Sequence, residues 1–221
     1  MYVKICGITN DEDALFSVSM GADAVGFIFA PSKRQIWPED VLSIIRRLPP
    51  EIMTVGVFKD ERRERVAKVV NKLGLKGAQL HGHESREDTA WIAERVSFVI
   101  KAFPAGQSEV RQFVDYGADV LLLDSPEPGS GNVFDWSLAE DVIDPSTLML
   151  SGGLNPENVE AAVKRVQPWG VDVTSGVESA PGKKDPVKVR NFIKLARQAA
   201  TPKYKSIVPR EALFDWQEEG I

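Results

Sequence analysis

Cys6 is the only cysteine in this chain of 221 residues, and it stands where a short apolar run, Tyr2-Val3-Lys4-Ile5, meets Gly7. A polar run, Thr9-Asn10-Asp11-Glu12-Asp13, follows with the composition of a helix start. The thiol is therefore expected where a buried strand opens into a loop, a common station for a catalytic group on a rigid scaffold. As a thiolate it would serve as nucleophile or base. As a thiol it would be a small apolar filler, and these nine residues alone do not separate the two.

Other residues with chemical potential also stand at the ends of apolar runs. Asp124 follows Val120-Leu121-Leu122-Leu123 and opens the Gly/Pro-rich stretch Ser125-Pro126-Glu127-Pro128-Gly129-Ser130-Gly131. A carboxyl at the mouth of an apolar strand is partly desolvated, which suits a proton donor, although an Asp opening a turn is also common. Ser151-Gly152-Gly153 and Ser175-Gly176 read as the two halves of a phosphate cradle, or as ordinary turns. Lys33-Arg34 would neutralise a carboxylate, a task for which guanidinium is well shaped, or would simply be solvated. His81-Gly82-His83 has an H-x-H spacing, but with no second His or Cys cluster it suggests polar or structural work rather than metal binding. There is no Walker loop, no G-x-G-x-x-G after a strand and no G-x-S-x-G, so no bound cofactor is indicated.

These groups need a scaffold, and the pattern of the chain supplies one. Strands are expected at Tyr2–Cys6, Asp23–Phe29, Met53–Phe58, Gly77–Leu80, Phe98–Ala102, Val120–Asp124, Thr147–Leu150 and Val171–Thr174. Several are near-continuous apolar runs, as expected of strands covered on both faces. Helices are expected at Asp11–Met20, Pro38–Leu48, Arg62–Leu73, Arg86–Arg95, Glu109–Tyr116, Ser137–Asp141, Pro156–Val166 and Asp185–Ala199. Asn155-Pro156-Glu157 looks like a cap followed by Pro at the first helical position. Gly21, Gly74 and Gly117 look like helix stops. Eight strand–helix units in about 200 residues is the count of an α/β protein folded as a (β/α)8 barrel, with a doubly wound sheet as the competitor. In such a barrel the active site gathers at the C-terminal ends of the strands, where all the residues above fall.

Composition narrows the functional classes. The net charge of −5 argues against non-specific nucleic-acid binding. A lone cysteine fits a reducing cytosol, and no run suggests a signal peptide or membrane span, so a cytoplasmic protein is expected. Residues 1–200 read as one catalytic domain. Residues 201–221 read as a C-terminal extension of unknown role, in which Leu213, Phe214 and Trp216 could dock on the barrel or on a partner.

Seven stretches, taken in order, resemble the phosphoribosylanthranilate isomerase family of tryptophan biosynthesis. They are Lys4-Ile5-Cys6-Gly7-Ile8-Thr9; Gly21–Phe27 with Ser32-Lys33-Arg34; Gln79-Leu80-His81-Gly82; Leu122-Leu123-Asp124; Gly129-Ser130-Gly131 with Phe134-Asp135-Trp136; Leu150–Val159; and Gly170–Glu178 with Pro181–Asp185. The resemblance covers about residues 2–198 and leaves the extension outside. It implies a TIM barrel that performs an Amadori rearrangement on a phosphoribosyl substrate without a cofactor. It implies Asp124 as general acid and Cys6 as general base. It implies substrate-binding roles for Arg34, His81, Gly152, Gly153, Asp172, Ser175 and Gly176, with Arg34 on the anthranilate carboxylate and the glycine turns on the phosphate. The family includes monomers and dimers, so a monomer or homodimer is expected; from the residues themselves no metal, nucleic-acid or membrane partner is expected. Asn132 and Thr174 depart from the usual family residues. The alternatives are a broader phosphosugar isomerase, which generally pairs two aspartates, and a degenerate barrel kept as a subunit partner.

Overall fold

In the computed structural model, which describes residues 1–126, 135–140, 142 and 144–201, eight parallel strands close into a barrel. The strands are β1 (Tyr2–Ile5), β2 (Ala24–Ile28), β3 (Met53–Phe58), β4 (Gly77–Leu80), β5 (Val99–Pro104), β6 (Val120–Asp124), β7 (Leu148–Leu150) and β8 (Gly170–Val173). Each pairs with its sequence neighbour, and β1 pairs with β8 to complete the ring, Lys4 opposite Asp172. The expected barrel is therefore found and the doubly wound sheet is not. Asn132, most of the stretch from Ser125 to Val133, and residues 202–221 with Leu213, Phe214 and Trp216 lie outside the described residues.

Alternation along the strands sorts side chains into two layers. Val3, Ile5, Val25, Phe27, Leu121, Leu123, Leu148, Leu150, Val171 and Val173 face outward and join the core beneath the helices. Ala24, Met53, Val55, Phe98, Ile100, Ala102, Val120, Leu122, Met149 and Trp169 form a separate cluster that fills the lumen. Tyr2 stacks on Trp169 with ring centroids 4.4 Å apart and closes the lower end. The lumen is thus a packed plug, and a pocket can open only above it.

The outer helices are α1 (Asp11–Ser19), α2 (Pro38–Ile45), α3 (Arg63–Leu73), α4 (Arg86–Ala93), α5 (Ser137–Glu140), α6 (Val159–Val166) and α7 (Pro186–Ala199). Asn10, Ser85 and Asp185 cap α1, α4 and α7 through their side chains. Gly74 and Gly117 end their helical segments in the left-handed region, as expected.

Two expectations are corrected, and one element is new. The segment Ser108–Tyr116 is a 3-10 run kinked at Gln112, not an α-helix. Gln107 gives it no side-chain cap, and Tyr116 is its only buried residue, so little apolar surface holds a regular helix to the barrel. Asn155 does not cap α6: its Oδ1 accepts from the N–H groups of Glu157 and Asn158, which makes a tight turn, and α6 begins only at Val159. After β8 the chain also forms an unforeseen hairpin, β9 (Glu178–Ala180) with β10 (Lys183–Lys184). Among the described residues no helix is long and apolar enough to cross a membrane.

One device appears twice in the barrel. Gly21-Ala22-Asp23 precedes β2, and Gly117-Ala118-Asp119 precedes β6. Asp23 accepts the N–H of Val3 at 2.8 Å through Oδ2 and donates its own N–H to the Val3 carbonyl. Asp119 does the same to Val99, also at 2.8 Å through Oδ2. Each carboxylate satisfies a backbone donor at the start of the preceding strand, where the sheet ladder has not yet begun. Asp119→Ala is expected to leave the buried Val99 N–H unpaired and to cost about 1–3 kcal/mol. Urea unfolding should show this as a lower midpoint with an unchanged slope.

Candidate active site

The residues that face the lumen continue upward into a cavity of about 220 Å3 at the C-terminal ends of the strands. Cys6 follows Tyr2 and Lys4 at two-residue spacing, Asp124 follows Val120 and Leu122, and Asp172 follows Gly170. The cavity is lined by Cys6, Arg34, His81, Asp124, Gly152, Gly153, Asp172 and Ser175 of the expected site. Gly176 stands behind this lining: a Cβ there would lie 1.9 Å from the Leu154 carbonyl oxygen, so it lets two loops touch.

Cys6 is buried and leaves β1 with its N–H donated to the Val173 carbonyl. Burial pushes its thiol up, against the pull of the Lys4 ammonium, while Asp172 adds to the rise and Lys184 opposes it. Lys4 is fully buried and its Nζ lies 2.8 Å from Asp172 Oδ1. Burial works against this ammonium, but Asp172 and Cys6 outweigh it, so its pKa lies above the ordinary lysine value. Room for both groups comes from β2. A Cβ on Gly26 would lie 2.7 Å from the Cys6 sulfur and 3.2 Å from Nζ of Lys4.

Lys184, on β10, donates from Nζ to the carbonyl of Cys6 at 2.6 Å, to that of Thr174 and to Glu178 Oε1 at 3.1 Å. Glu178 also takes a two-pronged bond from Arg34, Nε to Oε1 at 2.8 Å and Nη2 to Oε2 at 2.7 Å. Burial works to raise Glu178, but the Arg34 bonds and the Lys184 charge override it and hold it below the ordinary carboxylate value. Arg34 is therefore fixed along its Nε–Nη2 edge, and it lines the cavity.

On the other side, Asp124 is buried, its Oδ1 accepts from the Ser125 N–H at 2.7 Å, and its Oδ2 lies within hydrogen-bond distance of His81 Nε2, at 3.0 Å. Gly152 and Gly153 adopt φ of +80° and +69°. Two successive left-handed residues let the backbone approach a ligand closely and turn N–H groups toward an anion. Because α6 starts later than expected, Gly152 and Gly153 lead into a turn rather than directly into a helix. Among the described residues no three His, Cys, Asp or Glu side chains are placed to hold a metal ion.

The family model for N-(5'phosphoribosyl)anthranilate (PRA) isomerase matches residues 3–195. The N-(5'-phosphoribosyl)anthranilate isomerase of Desulforudis audaxviator is 50% identical over 204 residues, which are 89% of this chain and 98% of that protein. The crystal structure of the Thermotoga maritima phosphoribosyl anthranilate isomerase superposes with a TM-score of 0.82 at 49% identity, covering 90% of this chain and 99% of that one. A phosphoribosyl anthranilate isomerase solved in complex with reduced 1-(o-carboxyphenylamino)-1-deoxyribulose 5-phosphate gives 0.80 at 48% identity, with the same coverage. The chain belongs to the phosphoribosylanthranilate isomerase family.

Lys4, Gly26, Lys59, Gln79, Glu178 and Lys184 also stand at or against the site, although none was expected there. Lys59 follows directly on β3 and lines the cavity, so the strand-end rule that found Cys6 also covers it. Lys4 and Gln79 stand two residues before Cys6 and His81, on the same strand face. A lysine inside an apolar strand is itself a signal of a buried partner. Lys184 and Glu178 carried no such signal, because the hairpin that folds them inward was not foreseen.

Two outcomes follow from this packing. Gly26→Ala is expected to displace the Cys6 sulfur, to cost about 1–3 kcal/mol of stability by overpacking and to lower turnover. Denaturation and steady-state assays on the one variant check both. The raised Cys6 pKa also ties stability to pH. The unfolded thiol ionises near 9.0, whereas the folded one still holds its proton there. Its stabilising contribution is complete below that pH and is lost as pH rises through the folded value. Lys4 shifts in the same sense, so Cys6→Ala should reduce, without abolishing, the drop in melting temperature between about pH 7.5 and about pH 10, the window of thiol ionisation.

Proposed function

We propose that this pocket converts N-(5-phospho-β-D-ribosyl)anthranilate into 1-(2-carboxyphenylamino)-1-deoxy-D-ribulose 5-phosphate by general acid and general base catalysis. The observation that carries this reading is the placing of Cys6 and Asp124 on one cavity, from β1 and β6, three strands apart round the ring. A sugar lying between them can receive a proton on one side and lose one on the other.

Asp124 gives its proton to the ribose ring oxygen, and the C1′–O bond breaks to leave a protonated Schiff base. The carboxylate formed is met by the His81 ring and the Ser125 N–H. The Cys6 thiolate then removes the proton from C2′, and the electron pair flows to the imine nitrogen to give an enolamine. Tautomerisation of the enolamine yields the ketone. No redox partner enters, since the oxidation at C2′ balances the reduction at C1′.

The surrounding charges support the thiolate. Lys4, Lys184 and Arg34 contribute three positive charges, and Asp172 and Glu178 two negative ones. The excess of one positive charge is what a thiolate neutralises. Nη1 of Arg34 suits the anthranilate carboxylate, and the Gly152-Gly153 and Ser175-Gly176 backbones suit the phosphate. Cys6→Ala and Asp124→Asn are each expected to lower kcat by about 10²–10⁴-fold while the circular dichroism spectrum is retained. Near-normal turnover of the phosphoribosyl substrate by either variant would remove that residue from the mechanism.

A further inference from the structure

Gln79 lies buried on β4, and its amide Nε2 is 2.8 Å from Nδ1 of His81. The other ring nitrogen of His81 faces Asp124 Oδ2 at 3.0 Å. The amide oxygen of Gln79 is buried and has no hydrogen-bond partner among the described residues. The N–H of His81 is held by the Phe58 carbonyl at 2.8 Å, so its backbone is fixed while this side-chain chain runs through it.

A neutral imidazole has one donor and one acceptor nitrogen, whereas an amide NH2 can only donate. With the amide nitrogen at Nδ1, the ring proton must sit on Nε2, where it is donated to Asp124. This tautomer favours the Asp124 carboxylate, the form left after the proton has been given up. A half-turn of the amide exchanges its nitrogen for its oxygen. The oxygen then accepts from a protonated Nδ1, and Nε2 becomes an acceptor for the Asp124 carboxylic acid. Terminal amide torsions are soft and roughly two-fold, and among the described residues Oε1 has no other bond to lose in turning.

We propose that Gln79 is a positioning residue that selects the His81 tautomer and thereby the protonation state in which Asp124 is held. The proposal rests on the reading of Asp124 as the general acid. Gln79 acts through His81, and its lone unpaired oxygen is what leaves the amide able to present either end to the ring.

The chain has two histidines, His81 and His83, so its imidazole nitrogens can be resolved in ¹⁵N-histidine-labelled protein, with His83→Asn providing the assignment. Wild-type protein is expected to carry the His81 proton on Nε2. Gln79→Glu, which presents only oxygen to the ring, is expected to move a proton onto Nδ1. A wild-type proton on Nδ1, or a ring unchanged in Gln79→Glu, would overturn the proposal. In the assay, Gln79→Met is expected to lower kcat about tenfold, a part of what a general acid contributes, with KM nearly unchanged. That loss should vanish when His81→Asn is already present, because the two residues act as one unit. Losses that multiply, or a loss confined to KM, would also overturn it. Full activity in Asp124→Asn would instead sink the acid assignment on which the proposal stands, so the two failures are distinguishable.

Discussion

The Lys4 ammonium, held between the Asp172 carboxylate and the Cys6 sulfur, is the interaction on which this site depends. It lies on the seam that closes the barrel, since Lys4 on β1 stands opposite Asp172 on β8. The apolar plug below keeps the seam dry, from Met149 and Ile100 down to the Tyr2–Trp169 stack. Taking an ammonium out of water is costly, and only a well-placed counter-charge offsets that cost. Removing one member of such a pair leaves a bare buried charge, worth about 3–5 kcal/mol of lost stability. The seam that closes the barrel and the charges beside the thiol therefore share one pair of side chains.

The second network extends this control to the substrate side. Glu178 joins Lys184, which grips the Cys6 carbonyl, to Arg34, which faces the cavity. The β9–β10 hairpin exists in part to carry these two residues inward, and Thr9 bonds the Gly182 carbonyl at its turn. Cys6 and Arg34 thus share a rigid frame. A guanidinium already engaged along one edge loses little freedom when its remaining edge meets a ligand. A third buried pair, Lys101 with Glu84 at 2.8 Å, fixes the turn after β4 through the Gly82 carbonyl and N–H. The loop that holds His81 is secured in the same way as the one that holds Cys6.

What was legible in the sequence follows from which physical signals are local. Strand identity was legible because a strand covered on both faces is a continuous apolar run, as in Val120-Leu121-Leu122-Leu123. The positions of Cys6 and Asp124 were legible because each ends such a run. The 3-10 run at Ser108–Tyr116 was not, since its departure from an α-helix comes from weak packing on the barrel. The role of Asn155 depended on a choice between capping a turn and capping a helix, and both choices use the same side chain. The ion pairs were hidden for a different reason. Lys4 and Asp172 are separated by 168 residues, and only closure of the ring brings them together. The doubled Gly-Ala-Asp device was in plain view, but its meaning needed the backbone donors of Val3 and Val99.

A thiol at position 6 suits this environment in a way a carboxylate would not. Burial suppresses ionisation of either group, but a neutral thiol is an apolar group and rests in a dry site at little cost. With Cys6 neutral, the cluster of Lys4, Asp172, Lys184, Glu178 and Arg34 keeps one positive charge in excess. The incoming ligand of the proposed reaction carries a phosphate and a carboxylate, so it meets a cavity of opposite sign. A permanent carboxylate at position 6 would cancel that excess before the substrate arrived. The same burial that makes Cys6 a reluctant acid makes its thiolate a stronger base once formed. Lys4 and Lys184 keep that state within reach. In the proposed reaction Cys6 would thus be neutral while the ligand arrives and charged for the step that removes the C2′ proton.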